Sequence, residues 1–185
     1  MNRRRILTAA FAFPLPMPAT AALQPAPQTF ARTFRDSFAR HWADTREYTL
    51  AVLDAMPEEG FASKPHPAQR TFAEQLVHLA LANVAYFRAF ALLDPPERAN
   101  PTTKSEVRAY VVRCFDYVAA VLNKLTDRDL LRNDLVIVSR LPPHSAIDIF
   151  LRAYMHTAHH RGQLVVYLRV QGIVPPAWKF EPSTR

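Results

Sequence analysis

The sequence predicts an all-α protein, a four-helix bundle. Three observations point there. The 16 prolines fall in clusters, and a proline inside a helix removes a backbone hydrogen bond and clashes with the preceding turn. The stretches between clusters repeat apolar residues every three or four positions. Three of those stretches also begin on residues that satisfy the free N–H groups of a helix N-terminus.

The first helix is expected over about Thr29 to Met56, where Phe30, Phe34, Phe38, Trp42, Thr45, Thr49, Val52 and Met56 recur at helical spacing. Pro57, Pro65 and Pro67 end it. The second, about Thr71 to Leu93, starts on Thr71-Phe72-Ala73-Glu74, a capping box in which the Thr and Glu side chains bind each other's backbone N–H. Pro95, Pro96 and Pro101 follow. A second capping box, Thr103-Lys104-Ser105-Glu106, opens the third helix, about Thr103 to Leu125. The fourth runs about Ser145 to Gln171, from a weaker cap at Ser145 to Gly172, a residue suited to a helix C-terminal stop. Between the last two lies a long connection, Thr126 to Pro143, expected to pack over one end of the bundle. Its β-prone run Leu135-Val136-Ile137-Val138 has no partner strand.

Composition narrows the function. Hydrophobic residues make up 49% of the 185 and charged residues 21%, which excludes a wholly disordered chain. The 3 glycines, Gly60, Gly162 and Gly172, are too far apart for a phosphate-cradling loop. A single cysteine, Cys114, excludes an intrachain disulfide and an all-cysteine zinc site, and reads as a small buried filler. Any metal site must use histidine and carboxylates. The net charge of +7 falls to +4 once residues 1–28 are set aside, too little to argue for nucleic acid.

Those first residues form a leader. Arg3-Arg4-Arg5 precedes the mostly apolar run Ile6 to Met17, and Ala19-Thr20-Ala21 is a small-x-small cleavage signal. Residues 1–22 are therefore expected to be a signal peptide, with a loose twin-arginine pattern, and the protein to be periplasmic; a basic, disordered or membrane-apposed leader is the alternative. The apolar run is too short to span a bilayer, so no stable transmembrane anchor is expected. A Pro-rich linker covers 23–28, the bundle 29–176 and a tail 177–185.

Chemistry concentrates in the histidines. Ile149, Ala153, His156, His160, Gln163 and Tyr167 are spaced 4, 3, 4, 3, 4 and lie on one face, whose apolar members turn it to the core. His156 and His160 stand one turn apart, with Cβ atoms about 5–6 Å apart. Two such rings cannot easily both be charged in a core, and when neutral each still needs partners. A divalent cation satisfies both; so do hydrogen bonds to side chains or water. His78, on an apolar face of the second helix, supplies a third nitrogen. One histidine from one helix and two from another form a facial set with open positions for water or substrate. His159, about 100° from His160 around the helix, is left out.

Other residues have simpler readings. Gln163, on the histidine stripe, is placed to hydrogen-bond a ligand imidazole. Arg161 is expected to play a structural role, with anion binding the alternative. The capping box explains Glu74; orienting His78 or acting as a general base is the alternative. Trp42 and Tyr48 are expected in the core, and His41, His66 and His144 at the surface or in loops.

Over about residues 30–176 the chain resembles the DinB-like family. Phe61-Ala62-Ser63-Lys64-Pro65 leading into Arg70-Thr71-Phe72-Ala73-Glu74-Gln75-Leu76-Val77-His78-Leu79-Ala80 carries the resemblance, with the HxxxHRGQ run from His156 to Gln163 and the closing Leu168 to Pro176. The resemblance implies a four-helix bundle, often dimeric, with nickel, zinc or a similar divalent ion on a triad matching His78, His156 and His160. It also implies a metal-dependent hydrolase or a low-molecular-weight-thiol S-transferase acting on a small molecule. A non-catalytic metal-binding or dimerising bundle in the cell envelope is the alternative. No catalytic acid or base is identified.

Overall fold

Four long helices form wherever the caps and proline breaks place them. The computed structural model describes residues 29–178; the leader, the linker and residues 179–185 lie outside the described residues. Helix α1, Phe30–Ala55, starts where Thr29 accepts from the N–H of Arg32. After a 3-10 turn, Glu58–Ala62, helix α2 spans Phe72–Phe87 behind the complete Thr71/Glu74 capping box. Helix α3, Lys104–Lys124, has the same device in Thr103 and Glu106. Each such cap is worth about 1 kcal/mol.

The connection after α3 holds a fifth element that the sequence reading lacked. Helix α4, Asp127–Leu130, is one turn long and opens on a third capping box, Thr126 with Asp129. The run from Leu135, expected to lie unpaired, pairs at a single antiparallel bridge between Leu135 and His144. Leu135 and Ile137 are buried in the core. Helix α5, Ala146–Val170, follows the Ser145 cap. It ends in a Schellman motif: Gly172 has φ 73°, its N–H donates to the Arg169 carbonyl, and that of Ile173 to the Leu168 carbonyl.

The second helix is shorter than expected. It passes into a 3-10 turn, Arg88–Phe90, and stops at Ala91, a left-handed residue with φ 54°. The tightening lets Phe87 and Phe90 both stay buried.

Around the bundle the order is α1, α3, α2, α5; α2 packs on both α3 and α5, and α1 sits diagonally across from it. An aromatic cluster fills the end near the start of α5. The ring of Phe150 lies 4.6 Å from that of Phe38, edge to face, and 5.5 Å from that of Phe87. Trp42 is buried, stacks on Phe38 and donates from its indole N–H to the Phe115 carbonyl at 3.4 Å. Cys114 is buried, and burial raises its thiol to about 11, so it stays protonated and acts as filler. No helix among the described residues is long and apolar enough to cross a membrane.

Candidate metal centre

The pairing of α2 with α5 decides where the histidines meet. Three sets of polar contacts fix the register of these helices. The Tyr167 hydroxyl donates to the Arg70 carbonyl at 2.6 Å. The side-chain amide of Gln75 contacts Nδ1 of His160 at 2.8 Å. Asn83 donates to the Thr157 hydroxyl at 2.9 Å, and that hydroxyl donates back to the Asn83 carbonyl oxygen at 3.2 Å. Gln75, Asn83, Thr157 and Tyr167 are all buried. A buried polar group left without its partner costs about 1–3 kcal/mol, so α5 cannot slide along α2 cheaply.

This register brings His78, His156 and His160 together. One nitrogen from each ring lies within 4.8 Å of the others. The ring centroids are 5.1 Å apart for His78 and His156, 4.6 Å for His78 and His160, and 4.3 Å for His156 and His160. Small side-chain rotations suffice to turn one nitrogen of each ring onto a common ion. A second observation makes the set fit a cation. Nδ1 of His156 is buried and has no hydrogen-bond partner, a condition a neutral imidazole tolerates poorly unless something else occupies the nitrogen. The Gln75 amide fixes the His160 ring through Nδ1, and an outer partner that orients a ligand ring is usual at a metal site.

Electrostatics also keeps the rings ready to ligate. Burial lowers the pKa of His78, with a further push from the charge of Arg70. Burial, then the neighbouring histidines, brings His156 and His160 down to about 4. All three are thus neutral at pH 7, the form that binds a metal. A stability consequence follows for the metal-free protein. In the unfolded chain these imidazoles take up protons below about pH 6.5, whereas in the fold His156 and His160 resist until about 4. Stability is therefore held above pH 6.5 and lost as the pH falls from there towards 4. In chelator-treated protein, the urea midpoint should drop more steeply between pH 7 and 5 for the native sequence than for a His156→Ala/His160→Ala variant. Parallel curves would contradict the assignment.

The other expected residues divide. His159 is exposed, and its Nε2 meets the Gln163 amide at 2.8 Å, away from the centre. Gln163 does not reach a ligand imidazole as expected; it accepts from Gln75 and contacts His159. Its place one residue beyond the ring nitrogens is taken by Gln75, which the sequence reading missed. The structural role expected of Arg161 is observed: it is buried over the ring of Tyr48, 4.6 Å from its centroid, and donates to the Thr45 carbonyl, tying α5 to α1. Glu74 forms the capping box, and the Thr71 backbone bond holds its carboxyl below the usual range; it is not in the histidine group. His66 is exposed in a loop. His41, half-buried on α1, lies against the Tyr154 ring. His144 stands in a loop but is half-buried, with Nδ1 2.6 Å from Asp148.

Comparison with known proteins agrees with this architecture. The crystal structure of a DinB-like protein from Bacillus cereus superposes with a TM-score of 0.67 at 22% identity, over 77% of this chain and 95% of that one. A DinB-like protein from Bacillus subtilis gives a TM-score of 0.62 at 17% identity, over 76% and 96%. No curated protein sequence matches the chain significantly. The profile of the DinB family matches residues 28–183, which takes in every helix among the described residues and all three converging histidines. The chain therefore belongs to the DinB family.

Proposed function

We propose that this protein binds a divalent metal ion through His78, His156 and His160 and uses it in hydrolysis or thiol transfer on a small molecule, outside the cytoplasm. The observation that carries the reading is the convergence of three neutral imidazoles between α2 and α5, one with a buried nitrogen that nothing satisfies. No fourth His, Cys, Asp or Glu among the described residues joins them. His78 opens on a cavity of about 350 Å³. Three ligands, one of them facing a cavity, match the open coordination of a catalytic site better than the closed set of a structural one. This favours an enzyme over a sequestering or merely dimerising bundle. Imidazole nitrogens suit nickel and zinc. An ion bound there supplies Lewis acidity towards an electrophile or a thiol. The histidines hold it, and Gln75 orients His160.

Residues 1–22 support export. The test is elemental analysis of protein recovered from the periplasmic fraction of expressing cells. About one equivalent of nickel or zinc per chain is expected, with a fall in melting temperature on chelation. Metal far below one equivalent, with no chelator effect, overturns the metal reading. Retention in the cytoplasm overturns the export reading alone.

The homodimer belongs to the same proposal. Ile147, Leu151, Met155, Ala158, Gly162 and Val166 recur every three or four residues along α5 and are all exposed. The stripe lies on the side of the helix away from the histidines. Small residues at its middle and large ones at both ends make it self-complementary about a two-fold axis. Light scattering on the eluting protein should give twice the chain mass, and Met155→Glu the single mass. A native-sequence monomer would dispose of the dimer.

A further inference from the structure

Five arginines among the described residues are bound to aspartates, for instance Arg46 to Asp116 and Arg108 to Asp54. Arg70 and Arg98 are not in ion pairs among the described residues, yet both line the cavity that opens on His78. Arg70 reaches α2 through the loop before the Thr71 cap, and Tyr167 fixes its backbone. Arg70 and His78 line one wall of the same cavity, so the guanidinium charge stands beside the centre. A guanidinium there repels a bound cation. An anion seated between the two relieves that repulsion, and guanidinium groups bind carboxylates and phosphates in two-pronged fashion.

We infer that the cavity between α2 and the segment bearing Arg98 is a subsite for a small organic molecule with an oxyanion head, which Arg70 and Arg98 hold against His78. Val77 and Leu81 on the same wall offer an apolar surface to its carbon body. Glu74 also faces the cavity, but Thr71 binds its Oε2 at 2.7 Å, which leaves the two arginines in excess. The volume, about 350 Å³, is at the lower end of the range for ligand pockets and fits a compact substrate. For its chemistry this assignment rests on the metal reading, since it places the substrate head beside the ion; for its detection it does not.

The test is calorimetric titration of the full chain with benzoate, phenyl phosphate and benzyl alcohol, once loaded with zinc and once stripped with chelator. At least one anion should bind in both states. Arg70→Gln and Arg98→Gln should each weaken it roughly fivefold to tenfold, and Arg128→Gln, an exposed change on α4, should leave it unaltered. Benzyl alcohol should bind more weakly than the anion by a similar factor. Preference for benzoate identifies a carboxylate substrate, and preference for phenyl phosphate a phosphate. Equal binding of all three probes, no anion binding, or indifference to both arginine changes overturns the subsite. If metal analysis fails while Arg70→Gln still weakens anion binding to stripped protein, the metal reading falls and the subsite stands. Full metal loading with no arginine effect gives the reverse.

Discussion

His156→Ala should strip the protein of most of its metal while leaving the bundle folded. Of the three histidines, His156 alone has a buried nitrogen with no partner, so its ring gains most from an ion. Outer-shell partners of metal ligands typically contribute 10–100-fold in affinity; loss of a ligand should therefore cost at least about 100-fold. The rank order of three variants separates a metal centre from a mere histidine cluster. His156→Ala should lose nearly all metal after dialysis. Gln75→Leu, which removes the group orienting His160, should weaken binding by roughly 10–100-fold. His159→Ala, next in sequence to a ligand but turned to solvent, should match the native protein. Atomic emission on dialysed samples reads all three. Equal loading of His156→Ala and the native sequence would end the proposal. The folded state of His156→Ala is secure on separate grounds: the ring is half-buried and the apoprotein makes no hydrogen bond through Nδ1.

How much of this was legible beforehand depends on what each feature is made of. Helix starts were readable because Thr71, Thr103 and Ser145 act through their own next three residues, a local interaction that sequence displays directly. The end of α5 was readable for the same reason, since Gly172 takes the left-handed conformation. The end of α2 was not: Ala91 adopts that conformation without being glycine, held by the burial of Phe87 just before the 3-10 turn and Phe90 at its end. Helix α4 is too short to show periodicity, although Thr126 and Asp129 form a box of the expected kind. Helix adjacency is the non-local part. Nothing in the spacing of α1 and α2 says that they lie diagonally; the three histidines hint that α2 meets α5. A finer hint was present in Gln75, Asn83 and Thr157, polar residues at core-facing positions of the two helices. A buried polar residue is informative because it requires a partner, and here each partner sits on the opposite helix.

Phe150→Ala should be the most damaging single change to the fold, and it also reports on the metal. Phe150 is fully buried two turns before His156 and touches rings from α1, α2 and the turn that follows α2: Phe34 at 5.4 Å, Phe38 at 4.6 Å, Phe87 at 5.5 Å and Phe90 at 6.3 Å. Truncating a core phenylalanine costs about 3–5 kcal/mol, and lost edge-to-face contacts fall within that range. Against a total stability of about 5–15 kcal/mol, this is a large fraction. Urea unfolding of the chelated protein should show it as a fall in midpoint at unchanged slope; a loss under about 1 kcal/mol would mean that the aromatic cluster does not hold α5 in place. Metal adds a second reading. An ion that binds only the folded state restores about 2.7 kcal/mol at a hundred times its dissociation constant. Zinc or nickel should therefore recover much of the Phe150→Ala deficit. The same addition to Phe150→Ala/His156→Ala should recover little. Because the two substitutions act through different parts of α5, one on its packing and one on its ligand set, rescue that survives the loss of His156 would place the ion elsewhere on the protein.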